Sequence, residues 1–167
     1  QSFNVLGVAR KRIAAIKNRK VSGFSSVLGD ATTDLTHLGR FDLVLNFGLI
    51  EVVSDPLAVL KNCAALSNRV FVDTLVCESS KPFMVMVDSP LVPGACSDAP
   101  THFVGSRPSV SYIENFFRAE GYDVNRITDF RMNSARSEAH IYDWVSEDTD
   151  TLCKSDTHRG FWYFTKP

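Results

Sequence analysis

Short apolar runs alternate with apolar residues spaced for one face of a helix, the pattern of a layered α/β protein. Residues 3–8 (FNVLGV) predict a short buried strand, rich in branched and aromatic side chains. From Ala9 to Lys20, Ile13, Ala14, Ile16 and Lys17 fall at helical spacing, and Gly23 lies just beyond. Phe24 to Leu28 predict a brief strand running into Gly29 and Asp30. Phe41 to Phe47 (FDLVLNF) is strongly apolar, as a central parallel strand buried on both faces would be. Ser54 or Asp55 can cap the next helix, with Pro56 suited to its first position. Leu57, Val59, Leu60, Ala64 and Leu66 supply its inner face, and Arg69 to Val76 predict another buried strand.

The pattern then changes. Five of the seven prolines fall between Ser79 and Pro108, so this stretch is expected to be mostly loop, with a short edge strand at Met84 to Val87. A loop of that length inside a compact domain is usually functional, and residues 79–108 read as the lid or wall of a substrate pocket. Ser109 starts a helix whose apolar stripe is Ile113, Phe116, Phe117 and Ala119, and Gly121 stops it. Tyr122 to Phe130 and Gly160 to Thr165 predict two closing strands. The whole reads as one domain, residues 1–167. Its sheet is mostly parallel, with an antiparallel C-terminal edge pair.

Composition narrows the function. At 44% hydrophobic and 22% charged, the chain has an ordinary globular makeup. A formal net charge of −1 gives no global field for nucleic acid or an anionic membrane. The basic cluster Arg10, Lys11, Arg12, Lys17, Arg19 and Lys20 reads as a solvated helix face in preference to a phosphate-binding patch. No apolar run approaches the ~20 residues that span a bilayer. Cys63, Cys77, Cys96 and Cys153 lack CxxC spacing and read as reduced thiols of a cytoplasmic protein. No histidine falls at metal-ligand spacing with them, which argues against a zinc site.

Ligands of open α/β sheets bind just beyond the carboxyl ends of the strands. That rule selects Val8, Ala9 and Arg10, then Asp30 and Ala31, then Asn46, Phe47 and Gly48, then Asp73 and Thr74. Asp30 reads equally as a turn residue or as an acceptor for an exocyclic amine. Ala31 and Leu49 offer apolar surface to a ring, and Gly48 lets backbone approach a ligand closely. Candidate general bases or clamps near the pocket mouth are Glu51, Asp73, Glu78, Arg107, His140 and Tyr142. His140 has the intrinsic pKa of a base near neutrality. It reads also as a structural histidine beside Tyr142 and Trp144. Arg107 could clamp an anionic group or form a salt link at a helix start.

The segment FDLVLNFGLIEVVSDP resembles the fourth strand and following helix start of class I S-adenosylmethionine-dependent methyltransferases. The stretches GSRPSVSYIENFF, HIYDW and RGFWYF resemble a group of these enzymes in marine microbes and their phages. The resemblance implies a Rossmann-like methyltransferase sheet with S-adenosylmethionine as cofactor. Within such a sheet Asp30, Ala31, Asn46, Phe47, Gly48 and Leu49 are the expected cofactor contacts, and His140, Asp73 and Arg107 the expected catalytic residues. Three departures stand against it. Val52 occupies the place where many members carry a histidine. No GxG occurs, so the expectation is a sheet that lacks the first strand and its glycine-rich turn. Val8 or Ala9 stands where an acidic residue would bind the ribose. The expectation is therefore a fragment or a degenerate relative. It acts on a small molecule or sugar, or serves as an inactive methyltransferase-like scaffold. An uncovered sheet edge would favour a homodimer.

Overall fold

The computed structural model describes residues 27–77, 79–90, 102–128, 141–142 and 158–167. The chain divides into two compact units, Gln1–Asp30 and Ala31–Pro167. Of the first, only residues 27–30 are described, and they are exposed and irregular. The strand and helix expected before Gly23 and the basic cluster lie outside the described residues.

The second unit is a mixed sheet with two helices. Strand β1 (Val44–Phe47) leads through a single helical turn (Ile50–Val52) into helix α1 (Pro56–Leu66) and strand β2 (Arg69–Leu75). A two-stranded ribbon follows, β3 (Met84–Pro90) and β4 (His102–Pro108), then helix α2 (Val110–Ala119) and β5 (Asp123–Arg126). Two short β6 residues (Ile141–Tyr142) and the long β7 (His158–Thr165) complete it. The main sheet has the order β1-β2-β7-β5, with β6 also on β7.

Both helices begin where local chemistry places them. Asp55 caps α1 by accepting the Ala58 N–H at 3.0 Å, and Pro56 needs no partner at the first position. Ser109 caps α2 by accepting the Tyr112 N–H at 3.1 Å. Gly121, at φ +83°, takes the left-handed turn that ends it.

Both helices cover one face of the sheet. There Val70, Val72, Trp162 and Phe164 are fully buried with Val59, Leu60, Ile113 and Phe117. Phe117 stacks on Phe164 with ring centres 3.8 Å apart, and Trp162 Nε1 donates to Glu114 Oε1 at 3.2 Å. Gly160 is required beneath that indole: a Cβ there would lie 2.0 Å from a Trp162 ring carbon. Tyr122 ties α1 in by donating to the carbonyls of Ser67 and Ala64 at 2.5 and 3.0 Å.

Three expectations are corrected. The closing strands do pair antiparallel, yet β7 lies inside the sheet between β2 and β5, so it is no edge strand. Strand β1 is not buried on both faces: Leu45 and Phe47 are 57% and 54% exposed, because both helices pack on the other face. The proline-rich stretch is largely ribbon in its described part. Pro90 and Pro108 sit at ladder ends, where a missing N–H interrupts no interior pairing.

Candidate functional site

β1 and β2 run parallel, with Phe47 beside Asp73, so both deliver their carboxyl ends to the same side. β7 runs the opposite way and brings Arg159 and Gly160 to that end, opposite Leu75 and Thr74. Three strand ends therefore meet.

The side chains that meet there form an ion network. Arg159 donates from Nε and Nη2 to the two oxygens of Asp73 at 2.9 and 3.1 Å. Its Nη1 donates to Glu51 Oε1 at 3.0 Å. Glu51 Oε2 in turn accepts the Leu75 N–H at 2.6 Å and the Thr74 hydroxyl at 3.3 Å. Arg159 is buried. Burial works against its charge, but the Asp73 hydrogen bonds and the charges of Glu51 and Asp73 outweigh it, leaving the pKa raised. Gly48 turns the chain beside this network at φ +67° and donates its N–H to Asp73 O at 2.8 Å.

A cavity of about 130 Å³ opens on the helix side of β1. Ala31, Leu35, Asn46, Leu49, Val59 and Cys63 are among its lining residues. Asn62 of α1 holds the Ala31 wall, donating to the carbonyls of Ala31 and Thr33 at 2.8 and 2.6 Å. Asn46 is 4% exposed. Its amide donates to Cys63 Sγ at 3.3 Å, while its Oδ1 is buried with no hydrogen-bond partner. Burial pushes the Cys63 thiol pKa up, partly offset by that Asn46 bond.

The ribbon forms a third wall. Ser106 of β4 donates from Oγ to Ile50 O at 2.8 Å, fixing β4 to the turn that carries Glu51. Arg107 donates from Nη1 to Ser106 O at 2.9 Å and to Glu51 O at 3.5 Å.

Of the residues expected from sequence, Ala31, Asn46 and Leu49 line the cavity together. Gly48 and Asp73 belong to the adjoining ion network, and Arg107 to the ribbon wall. Phe47 turns to the opposite face and packs on Phe161 at 6.0 Å. Asp30 ends the first unit, exposed, and is described apart from these. His140 and Glu78 lie outside the described residues. Sequence reasoning missed Arg159. The available signal was a charge opening the aromatic run RGFWYF, two residues before Phe161 and so in phase with it along the strand.

Among the described residues no helix is long and apolar enough to cross a membrane. No three His, Cys, Asp or Glu side chains among them gather as metal ligands would. Cys63 is a free thiol.

The parallel β1-β2 pair, the reversed β7 between β2 and β5, and the shared carboxyl end define a class I methyltransferase-like fold. Solved structures carry that assignment. The chain is similar to the N-terminal domain of EvdMO1 with SAH bound, at TM-score 0.52 and 19% identity, over 84% of this chain and 52% of that one. The same domain in the presence of SAH and D-fucose gives TM-score 0.51 and 19% identity, over 83% and 52%. The chain thus spans about half the length of the solved chains it matches. No protein-family model matches it, and neither does any curated protein.

Proposed function

We propose that the carboxyl end of β1 binds an S-adenosyl cofactor and that the protein transfers a methyl group to a small molecule or a sugar. One observation carries this reading. Ala31, Asn46 and Leu49 meet at an apolar cavity whose buried amide acceptor, Asn46 Oδ1, lacks a donor. Leaving such an acceptor unmatched costs about 1–3 kcal/mol. A flat heterocycle with an exocyclic amine offers apolar faces to the walls and an N–H to that oxygen. About 150 Å³ is enough to take up benzene, so a cavity of about 130 Å³ suits one ring and not a whole cofactor. Gly48, with no Cβ, would admit the remainder at close range. Support comes also from the structural neighbour, which binds SAH, the demethylated form of S-adenosylmethionine, and was solved once with D-fucose present.

When bound, the cofactor supplies an electrophilic methyl group on a sulfonium centre. The chain's part is then to hold an acceptor in line, where proximity gives most of the rate. Glu51 and Asp73 are both committed to Arg159, so they brace the strand ends. That commitment favours a second reading, an inactive methyltransferase-like scaffold that retains the cofactor pocket.

Calorimetric titration with S-adenosylhomocysteine tests the pocket. Saturable binding that raises Tm is expected, and Asn46→Leu is expected to weaken it about tenfold. Absence of any Tm shift at millimolar ligand overturns the reading. Binding without methyl transfer to any of a panel of sugars would favour the scaffold.

A further inference from the structure

Two arginines stand at the carboxyl end of the sheet, and their guanidinium groups are used differently. Arg159 is filled: its Nε–Nη2 edge takes both oxygens of Asp73, and its Nη1 takes Glu51. Arg107 spends only Nη1, on two backbone carbonyls. Its Nε is closed off from water without a partner. Among the described residues its Nη2 makes no hydrogen bond, and unlike Nε it is not closed off from water. No carboxylate among the described residues pairs with it, and the two at this end of the sheet are held by Arg159.

A guanidinium keeps its charge at any physiological pH. A half-buried one without a counterion has lost part of its hydration and gained no opposite charge in return. The backbone beneath Arg107 is fixed: Ser106 is fully buried and bonded to Ile50, and the Arg107 carbonyl accepts from Cys77 Sγ at 3.2 Å. The cation is thus held in place on a wall that adjoins the Glu51 turn.

We infer that Arg107 receives an anionic group of the acceptor substrate, a carboxylate or a phosphate, on the open Nη2 side of its guanidinium. This rests on the methyl-transfer reading for the word acceptor, but the anion site itself does not. A planar carboxylate and a tetrahedral phosphate share the chemistry that a guanidinium recognises.

The test titrates the whole chain with inorganic phosphate and, separately, with acetate, at ionic strength held constant by chloride. Wild type, Arg107→Met and Arg107→Lys are compared, each with and without saturating S-adenosylhomocysteine. One of the two anions is expected to bind wild type above the chloride background. Arg107→Met is expected to lose at least about tenfold in that affinity, and Arg107→Lys to keep part of it as a point charge. Preference for acetate assigns a carboxylate, and preference for phosphate assigns a phosphoryl group. No binding above chloride, or equal binding by all three proteins, overturns the proposal. Anion binding through Arg107 in a chain that ignores S-adenosylhomocysteine supports the anion site and removes the methyl-transfer reading instead.

Discussion

The two faces of the main sheet are made from the same kinds of residue and do different things. One face, with Val70, Val72, Trp162 and Phe164, is sealed under α1 and α2. The other, with Leu45, Phe47, Phe71, Phe161 and Tyr163, is exposed or half-buried. Its rings pack on one another, Phe71 lying 4.5 Å from Tyr163 and 5.6 Å from Phe161. Apolar character alone therefore does not decide which face is core. Helix contact does, and each face should answer mutation in its own way.

The sharpest contrast is Trp162→Ala against Phe71→Ala. Trp162 is fully buried, so its truncation leaves a cavity and is expected to cost about 3–5 kcal/mol. Phe71 loses its ring stacking and part of its burial, about 1 kcal/mol. Urea unfolding of both variants measures the difference. Equal losses would mean that the outer face is packed as tightly as the inner one.

Much of the packed face was legible along the chain because its signals are local. Asp55 with Pro56 marks the start of α1, and Ser109 and Gly121 bracket α2, each within a few residues of what it controls. The strand-end rule selects Ala31 and Asn46, which line one cavity, for the same reason: it needs only the position where each strand stops. What stayed hidden is long-range. Nothing near residues 158–165 says that this strand inserts between β2 and β5. The partners of Arg159 lie 86 and 108 residues away. The ribbon was hidden by composition, since prolines that terminate a ladder look the same as prolines that forbid one.

Arg159 ties Asp73 of β2 to Glu51 of the turn after β1, and its removal ranks next. Arg159→Met leaves Asp73 and Glu51 facing each other without a cation. The expected cost is about 2–3 kcal/mol, below that of a fully buried pair because both carboxylates keep some water. Thermal unfolding with and without S-adenosylhomocysteine reads it out. A stability change below about 0.5 kcal/mol, the range of an ordinary surface substitution, would show that the network carries no load. Gly48→Ala is smaller. The space is adequate, 3.5 Å to Arg159 Nη2, so the cost is only the left-handed backbone, roughly 1–2 kcal/mol. A loss well beyond that would mean the turn is tighter than its φ implies.

The smallest effect tests how dry the packed face is. Cys63 faces Asn46 within it, and burial raises its thiol pKa above the ordinary value. The folded state then holds its proton where the unfolded state has released it. Stability should be level below about pH 8.5, the thiol value of an unfolded chain, and decline as pH rises from there through the higher folded value. Cys63→Ala should remove that part of the slope and leave the neutral-pH curve flat. In a background with Cys96 and Cys153 replaced by serine, Cys77, which is only half-buried, should react with an alkylating reagent well before Cys63. Equal reaction rates would mean that water reaches the floor of the cavity, and the contrast between the two faces would shrink to a matter of degree.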